Sequence, residues 1–153
     1  MLVYRIAKKK YAEDLSGEGA RLYGGRWNHV SIPCVYTSDS IALAVLEFTV
    51  NADINVLPGS LSVVKIQIPD KDIKEFEIKD LPENWNKTPA PMETKDFGTA
   101  LLKNLTYPVL KIPSVVIPEE FNYILNPRRK ESKFFKIVSI KGFDYDKRIR
   151  AET

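Results

Sequence analysis

Apolar and polar residues alternate along Leu2–Ala7, the pattern of a half-buried strand. The basic run Lys8–Lys10 reads as solvated, and Glu13–Gly19 is polar and loop-like. Arg21–Asn28 predicts a strand with a bulge at Gly24-Gly25. Its hairpin partner is Pro33–Thr37, reached across the Asn28–Ile32 turn. Thr37-Ser38-Asp39-Ser40 then supplies good helix caps. Ile41 to Val50 is apolar almost all round, which predicts a helix buried on most sides. Asp53–Ser60, with Pro58-Gly59, reads as a loop. The cleanest strand is Leu61–Ile68, with Leu61, Val63 and Lys65 on one face and Val64, Ile66 and Ile68 on the other. Asp70–Asp80 is charged and mixed. Asp80–Pro91 holds Pro82, Pro89, Pro91 and Trp85 and reads as a long ordered loop. A second helix is predicted over Thr94–Leu105, with Phe97, Ala100, Leu101 and Leu105 apolar and Thr94 or Asp96 as cap. Tyr107–Ile112, Phe121–Leu125 and Phe134–Phe143 read as strands, and Asp144–Thr153 as a charged tail. Strands dominate over two main helices, and neither a repeat nor a linker breaks the chain. The class expected is α+β, a single domain over residues 1–153 with its core at about 4–143.

Composition narrows the function. A chain of 153 residues is long enough for one sizeable core. The net charge of +3 is too small to argue for bulk nucleic-acid binding, so any anion site must be local. The single cysteine, Cys34, sits in the apolar run Pro33-Cys34-Val35-Tyr36 and reads as a buried, inert thiol. No disulfide framework is available to one cysteine, which suits a reducing cytoplasm. The N-terminus reads as a strand and not as a signal peptide. No apolar run approaches the roughly 20 residues of a membrane span. The lone histidine, His29, makes no metal cluster, so no metal is expected.

Two places carry candidate chemistry. Leu15 to Asn28 holds four of the seven glycines, together with Arg21, Tyr23, Arg26, Trp27 and Asn28. Glycines let backbone approach a ligand closely, and arginine grips phosphate or carboxylate through a planar fork. The stretch is either one wall of a pocket for an anionic, phosphorylated ligand or a glycine-rich hairpin with solvated arginines. Trp27 belongs in the core. Glu47 is the only ionisable residue between Asp39 and Asp53. Burying an unpaired carboxylate is costly, so it lies on a narrow exposed strip or serves a site with an arginine opposite.

Arg26 in the glycine-rich stretch, Tyr36, Glu47 and Ser114 together resemble the RES domain, named for its arginine, glutamate and serine. The matching text is Gly17-Glu18-Gly19-Ala20-Arg21, Gly24-Gly25-Arg26-Trp27-Asn28, Val35-Tyr36-Thr37-Ser38 and Ala42-Leu43-Ala44 to Leu46-Glu47. Ile112-Pro113-Ser114-Val115-Val116 and Asn122-Tyr123-Ile124-Leu125-Asn126-Pro127 follow in order. The resemblance implies a fold like that of the ADP-ribosyltransferase toxins and a cytoplasmic bacterial toxin. It implies NAD+ as substrate rather than bound cofactor, with the nicotinamide–ribose bond cleaved by hydrolysis or phosphorolysis. It also implies an Xre-type helix-turn-helix antitoxin as partner, and nucleic acid met only through it. ADP-ribosylation of a cellular protein is the alternative chemistry; an RNA-targeting toxin and a non-catalytic nucleotide-binding module stand further off. On this resemblance Glu47 stabilises the ribosyl cation and Arg26 holds the pyrophosphate. Tyr36 stacks on nicotinamide or hydrogen-bonds its ribose, and Ser114 offers a hydroxyl. Arg21, Tyr23 and Asn126 are secondary substrate contacts. Two departures stand out: Ser31, where many relatives have glycine, which alters a turn, and Arg128-Arg129-Lys130, which changes what that loop binds.

Overall fold

In the computed structural model, residues 1–52 and 59–149 are described. Seven strands are β1 (Leu2–Lys8), β2 (Val35–Ser38), β3 (Leu61–Gln67), β4 (Ile73–Glu75), β5 (Val109–Pro113), β6 (Phe121–Leu125) and β7 (Lys136–Phe143). Three helices are α1 (Glu18–Tyr23), α2 (Ile41–Asn51) and α3 (Met92–Lys103). The strands form one sheet in the order β4-β5-β6-β2-β1-β3-β7. Only β4 and β5 run parallel; the other neighbours are antiparallel. The α+β expectation is met.

The sheet has a seam. β1 and β3 pair along seven residues, whereas β1 and β2 meet only at Tyr4 and Ser38. Period-two alternation assigns the faces. One face carries Val3, Val35, Val64, Ile66, Val109, Tyr123 and Leu125, packed with Ala12, Leu15 and Phe135. The opposite face takes both long helices. α2 lays Ala44, Val45 and Phe48 against Ile6, Leu61 and Val63 on one side of the seam. α3 lays Phe97, Leu101 and Leu102 against Leu110, Ile112 and Ile124 on the other, with Trp27 and Trp85 between.

Several boundaries differ from the sequence expectation. The stretch from Arg21 is not a strand. Residues 18–23 form a helical turn between Gly17 (φ 76°) and Gly24 (φ 72°), left-handed positions that begin and end it. Glu18 and Arg21 pair one turn apart on it. Gly25 and Asn28 keep one isolated bridge, and β2 pairs with β6 and β1 instead. Helix α2 is capped by Ser40, whose Oγ accepts Leu43 N. It is not buried on most sides: Leu43 and Ala44 are buried, but Ile41, Leu46 and Val50 are exposed. It lies on the sheet with these residues turned to solvent, so an apolar sequence was no guide to its outer face. Helix α3 starts two residues early. Pro91 supplies the carbonyl that receives Thr94 N and Lys95 N, and Thr94 lies inside the helix. The charged stretch hides β4, a short edge strand held by the backbone of β5. Phe134 ends a 3-10 turn over Lys130–Phe134, ahead of β7. The predicted loop at Asp53–Ser60 falls mostly outside the described residues, as do positions 150–153 of the charged tail.

Candidate active site

Glu47 sits on the sheet-facing side of α2, and two neutral donors meet one of its oxygens. Ser114 Oγ and Asn122 Nδ2 each lie 2.7 Å from Glu47 Oε1. Ser114 follows the end of β5 and has no exposed surface. Its Oγ accepts Val116 N and Ile117 N, both at 3.1 Å. The hydroxyl has one proton, so that proton goes to Glu47. Asn122 lies on β6 between Ile112 of β5 and Ser38 of β2. Ser38 Oγ donates to Asn122 Oδ1 at 2.7 Å. Glu47 Oε2 has no hydrogen-bond partner among the described residues. The carboxylate is therefore neither on a free strip nor ion-paired with Arg26. It is half-buried, anchored through one oxygen by hydrogen bonds from two uncharged donors.

Arg26 leaves the backbone just after Gly25. That residue has to be glycine, because a Cβ there would lie 2.7 Å from the Tyr36 hydroxyl. The Arg26 guanidinium donates from Nη1 to the carbonyls of Trp85 (2.9 Å) and Lys87 (2.6 Å), and from Nη2 to Thr88 Oγ1 (3.2 Å). Three of its five donors are thus spent on the proline-rich segment. Nε and the second Nη2 hydrogen have no partner among the described residues. Burial lowers the Arg26 pKa, and the charge of nearby Glu47 acts against that. The two groups feel each other without touching.

Tyr36 is half-buried on the same sheet face as Asn122. Its hydroxyl accepts Trp27 N at 3.0 Å and donates to Asn28 Oδ1 at 2.6 Å. Asn28, wholly buried, spends its amide hydrogens on Ala20 O, His29 O and Ile32 O. This network shapes the turn that carries Arg26. Burial raises the Tyr36 pKa well above that of a free phenol and pushes the Cys34 thiol up to about 12. The Tyr36 hydroxyl is neutral and already used, so the ring is the part left for a ligand.

The remaining predicted residues stand apart from this cluster. Arg21 spends its fork on Glu18, with Nε 2.7 Å from Oε2. Tyr23 is 83% exposed at the end of α1. Asn126 has no exposed surface: its Nδ2 donates to Leu102 O at 3.0 Å and its Oδ1 accepts Arg128 N. It ties the end of β6 to α3 and has no face to offer a substrate. Arg128 and Lys130 are exposed, and Arg129 pairs with Glu131 at 2.6 Å. Trp27 and Cys34 are buried, as expected. Ser31 has φ 83°, a conformation that glycine adopts without cost, so the departure is a strained turn and nothing more. Among the described residues no group of three or more metal-ligating side chains converges.

Sequence reasoning missed Asn122, Ser38 and the segment 85–88. A signal existed for the first two: both are polar residues on strand positions whose neighbours two residues away, Ile124 and Tyr36, face inward.

The family model described as "RES domain" matches residues 2–146. The chain is 36% identical over 152 residues to a protein named Toxin Res from Yersinia enterocolitica, covering 98% of this chain and 100% of that one. It is also 36% identical to the Prs ADP-ribosylating toxin of Sphingobium sp. strain YBL2, over 94% and 91% of the two chains. Among solved structures it is similar to a chain of the M. tuberculosis MbcT–MbcA toxin–antitoxin complex, with a TM-score of 0.75 and 16% identity. That match covers 93% of this chain and 83% of that one, and speaks for the fold alone. With a family match along nearly its whole length and relatives matched end to end, the chain belongs to the RES domain family.

Proposed function

We propose that this chain is the toxin of a toxin–antitoxin pair and cleaves the nicotinamide–ribose bond of NAD+ in the cytoplasm, by hydrolysis or phosphorolysis. The observation that carries the reading is the one-sided anchoring of Glu47. Oε1 is fixed by Ser114 and Asn122, which leaves Oε2 to meet developing positive charge. When the C1′–N bond breaks, its electron pair leaves with neutral nicotinamide and the ribosyl carbon becomes cationic. A carboxylate already oriented by neutral donors stabilises that cation without reorganising. Water, losing a proton, or a phosphate oxygen then closes on the carbon. The free edge of Arg26 takes the pyrophosphate, and the Tyr36 ring lines the nicotinamide end. Ser114 acts through Glu47, since its hydroxyl is fully engaged. The family resemblance makes an Xre-type antitoxin the partner in this reading.

A second reading, transfer of ADP-ribose to a protein side chain, is favoured by the name of the Sphingobium relative. Both chemistries need the same cation. The test is nicotinamide release by purified protein from NAD+, with and without phosphate. Release in plain buffer supports hydrolysis, and release only with phosphate supports phosphorolysis. Labelled ADP-ribose appearing on protein, with no release otherwise, moves the assignment to the transferase. No cleavage under any condition removes the enzyme reading.

A further inference from the structure

The donors that reach Glu47 are not equally secure. Ser114 is held by two backbone N–H groups. Asn122 is held at its far end by one contact only among the described residues, the Ser38 hydroxyl on Oδ1. The two residues face each other directly across the β2–β6 pair. Ser38 is buried, 3% exposed, and with Tyr4 it forms the paired position between β1 and β2. Its geometry is that of a directed chain: O–H of Ser38 to O=C of Asn122, N–H of Asn122 to Glu47.

We infer that Ser38 is a positioning residue for the reaction, acting on Glu47 through Asn122; this rests on the reading of Glu47 given above. Two physical effects support it. A donor on the carbonyl of an amide polarises the group and strengthens the N–H at its other end. A half-buried amide oxygen that loses its donor also bears part of a desolvation cost, and its side chain turns to find another partner. Without Ser38, Asn122 leaves Oε1 to Ser114 alone. The carboxylate can then rotate about its remaining bond, and its fixed aim at the ribose is lost. Ser38 touches no part of the ligand in this scheme. It sets an angle.

The experiment compares wild type, Ser38→Ala and Ser38→Thr, each alone and combined with Glu47→Gln. Nicotinamide release from NAD+ gives kcat and KM. Exchange of the Asn122 side-chain amide hydrogens, followed by NMR on 15N-labelled protein, gives a readout that needs no activity. Ser38→Ala is expected to lower kcat about tenfold, a misplacement effect, with KM for NAD+ within about twofold. Ser38→Thr keeps the hydroxyl and restores most of kcat. In the Glu47→Gln background, Ser38→Ala costs nothing further, because the group it aims is gone. The Asn122 amide exchanges slowly in wild type and quickly in Ser38→Ala. Wild-type kcat in Ser38→Ala, an equal loss in both backgrounds, or unchanged amide exchange would each overturn the inference. If wild type releases no nicotinamide, the reaction assigned above falls, and the exchange data alone decide whether Ser38 holds Asn122.

Discussion

At the scale of single residues the candidate site is defined by the atoms that remain free among the described residues. Glutamine at position 47 keeps a carbonyl that accepts from both Ser114 and Asn122. The substitution Glu47→Gln therefore preserves the anchoring and puts an uncharged amide nitrogen, a donor instead of an acceptor, where the free oxygen stood. Thermal melting and NAD+ binding by calorimetry are expected to stay near wild type. Nicotinamide release slows by about 10²–10³-fold, the scale of losing one electrostatic stabiliser. Normal turnover in a normally melting variant would remove Glu47 from the chemistry. Arg26→Lys makes a different test. Lysine keeps the charge, but one ammonium cannot serve the carbonyls of Trp85 and Lys87 and present an edge to an anion as well. A lost hydrogen bond to a charged group is worth about 1.5–3 kcal/mol. The expected result is a fall in kcat/KM on the order of 10–100-fold, seen mainly in KM, with a lower melting temperature as the 85–88 segment loosens. Unchanged kinetics would separate Arg26 from the pyrophosphate.

Elements explain why those atoms end up together. Helix α3 contributes no side chain to the Glu47 cluster, yet it sets the wall on which Arg26 rests. Its Gly98 lies so close to Trp27 that a Cβ would collide with the Trp27 carbonyl oxygen. Trp27 in turn stacks on Trp85 at 6.4 Å and meets Phe97 edge-on at 5.9 Å. Trp85 carries one of the carbonyls that Arg26 grips. Gly98→Ala must therefore push the helix away from Trp27. It is expected to cost about 1–3 kcal/mol in urea unfolding, as overpacked cores do, and to raise KM for NAD+ through displaced Trp85. A variant as stable as wild type would mean that the helix has room to shift. The same interval shows what could be read from sequence. The α2 and β6 spans were legible, because capping residues and alternation are local signals. The turn at residues 18–23 was not. Gly17 and Gly24 mark its ends, but glycines at a bulge and at helix ends look alike until the chain is folded. The short β4 was equally hidden, since its pairing is made by the backbone of β5 and not by its own charged sequence. Glu47, Arg26, Tyr36 and Ser114 lie in recognisable text. Ser38 and Asn122 matter through a contact across strands 84 positions apart, which no local pattern carries.

For the whole molecule, the proposed reaction has a consequence that can be read in cells. A protein that breaks the nicotinamide–ribose bond consumes a cofactor shared by many redox pathways, so at matched abundance its effect should scale with its turnover. Expression of the chain alone in a bacterial host is expected to arrest growth and deplete NAD+. Three strains separate the readings: wild type, Glu47→Gln and Ser38→Ala, matched for protein level by immunoblot. If turnover is the cause, Glu47→Gln grows normally with full NAD+. Ser38→Ala, carrying about a tenth of the activity by the misplacement argument, falls between, with both NAD+ loss and arrest delayed in step. Arrest by wild type with NAD+ untouched would instead favour a modified protein or an RNA as the target. Arrest by Glu47→Gln at equal expression would show that toxicity does not pass through the carboxylate at all, and the site described here would then not be the cause of it.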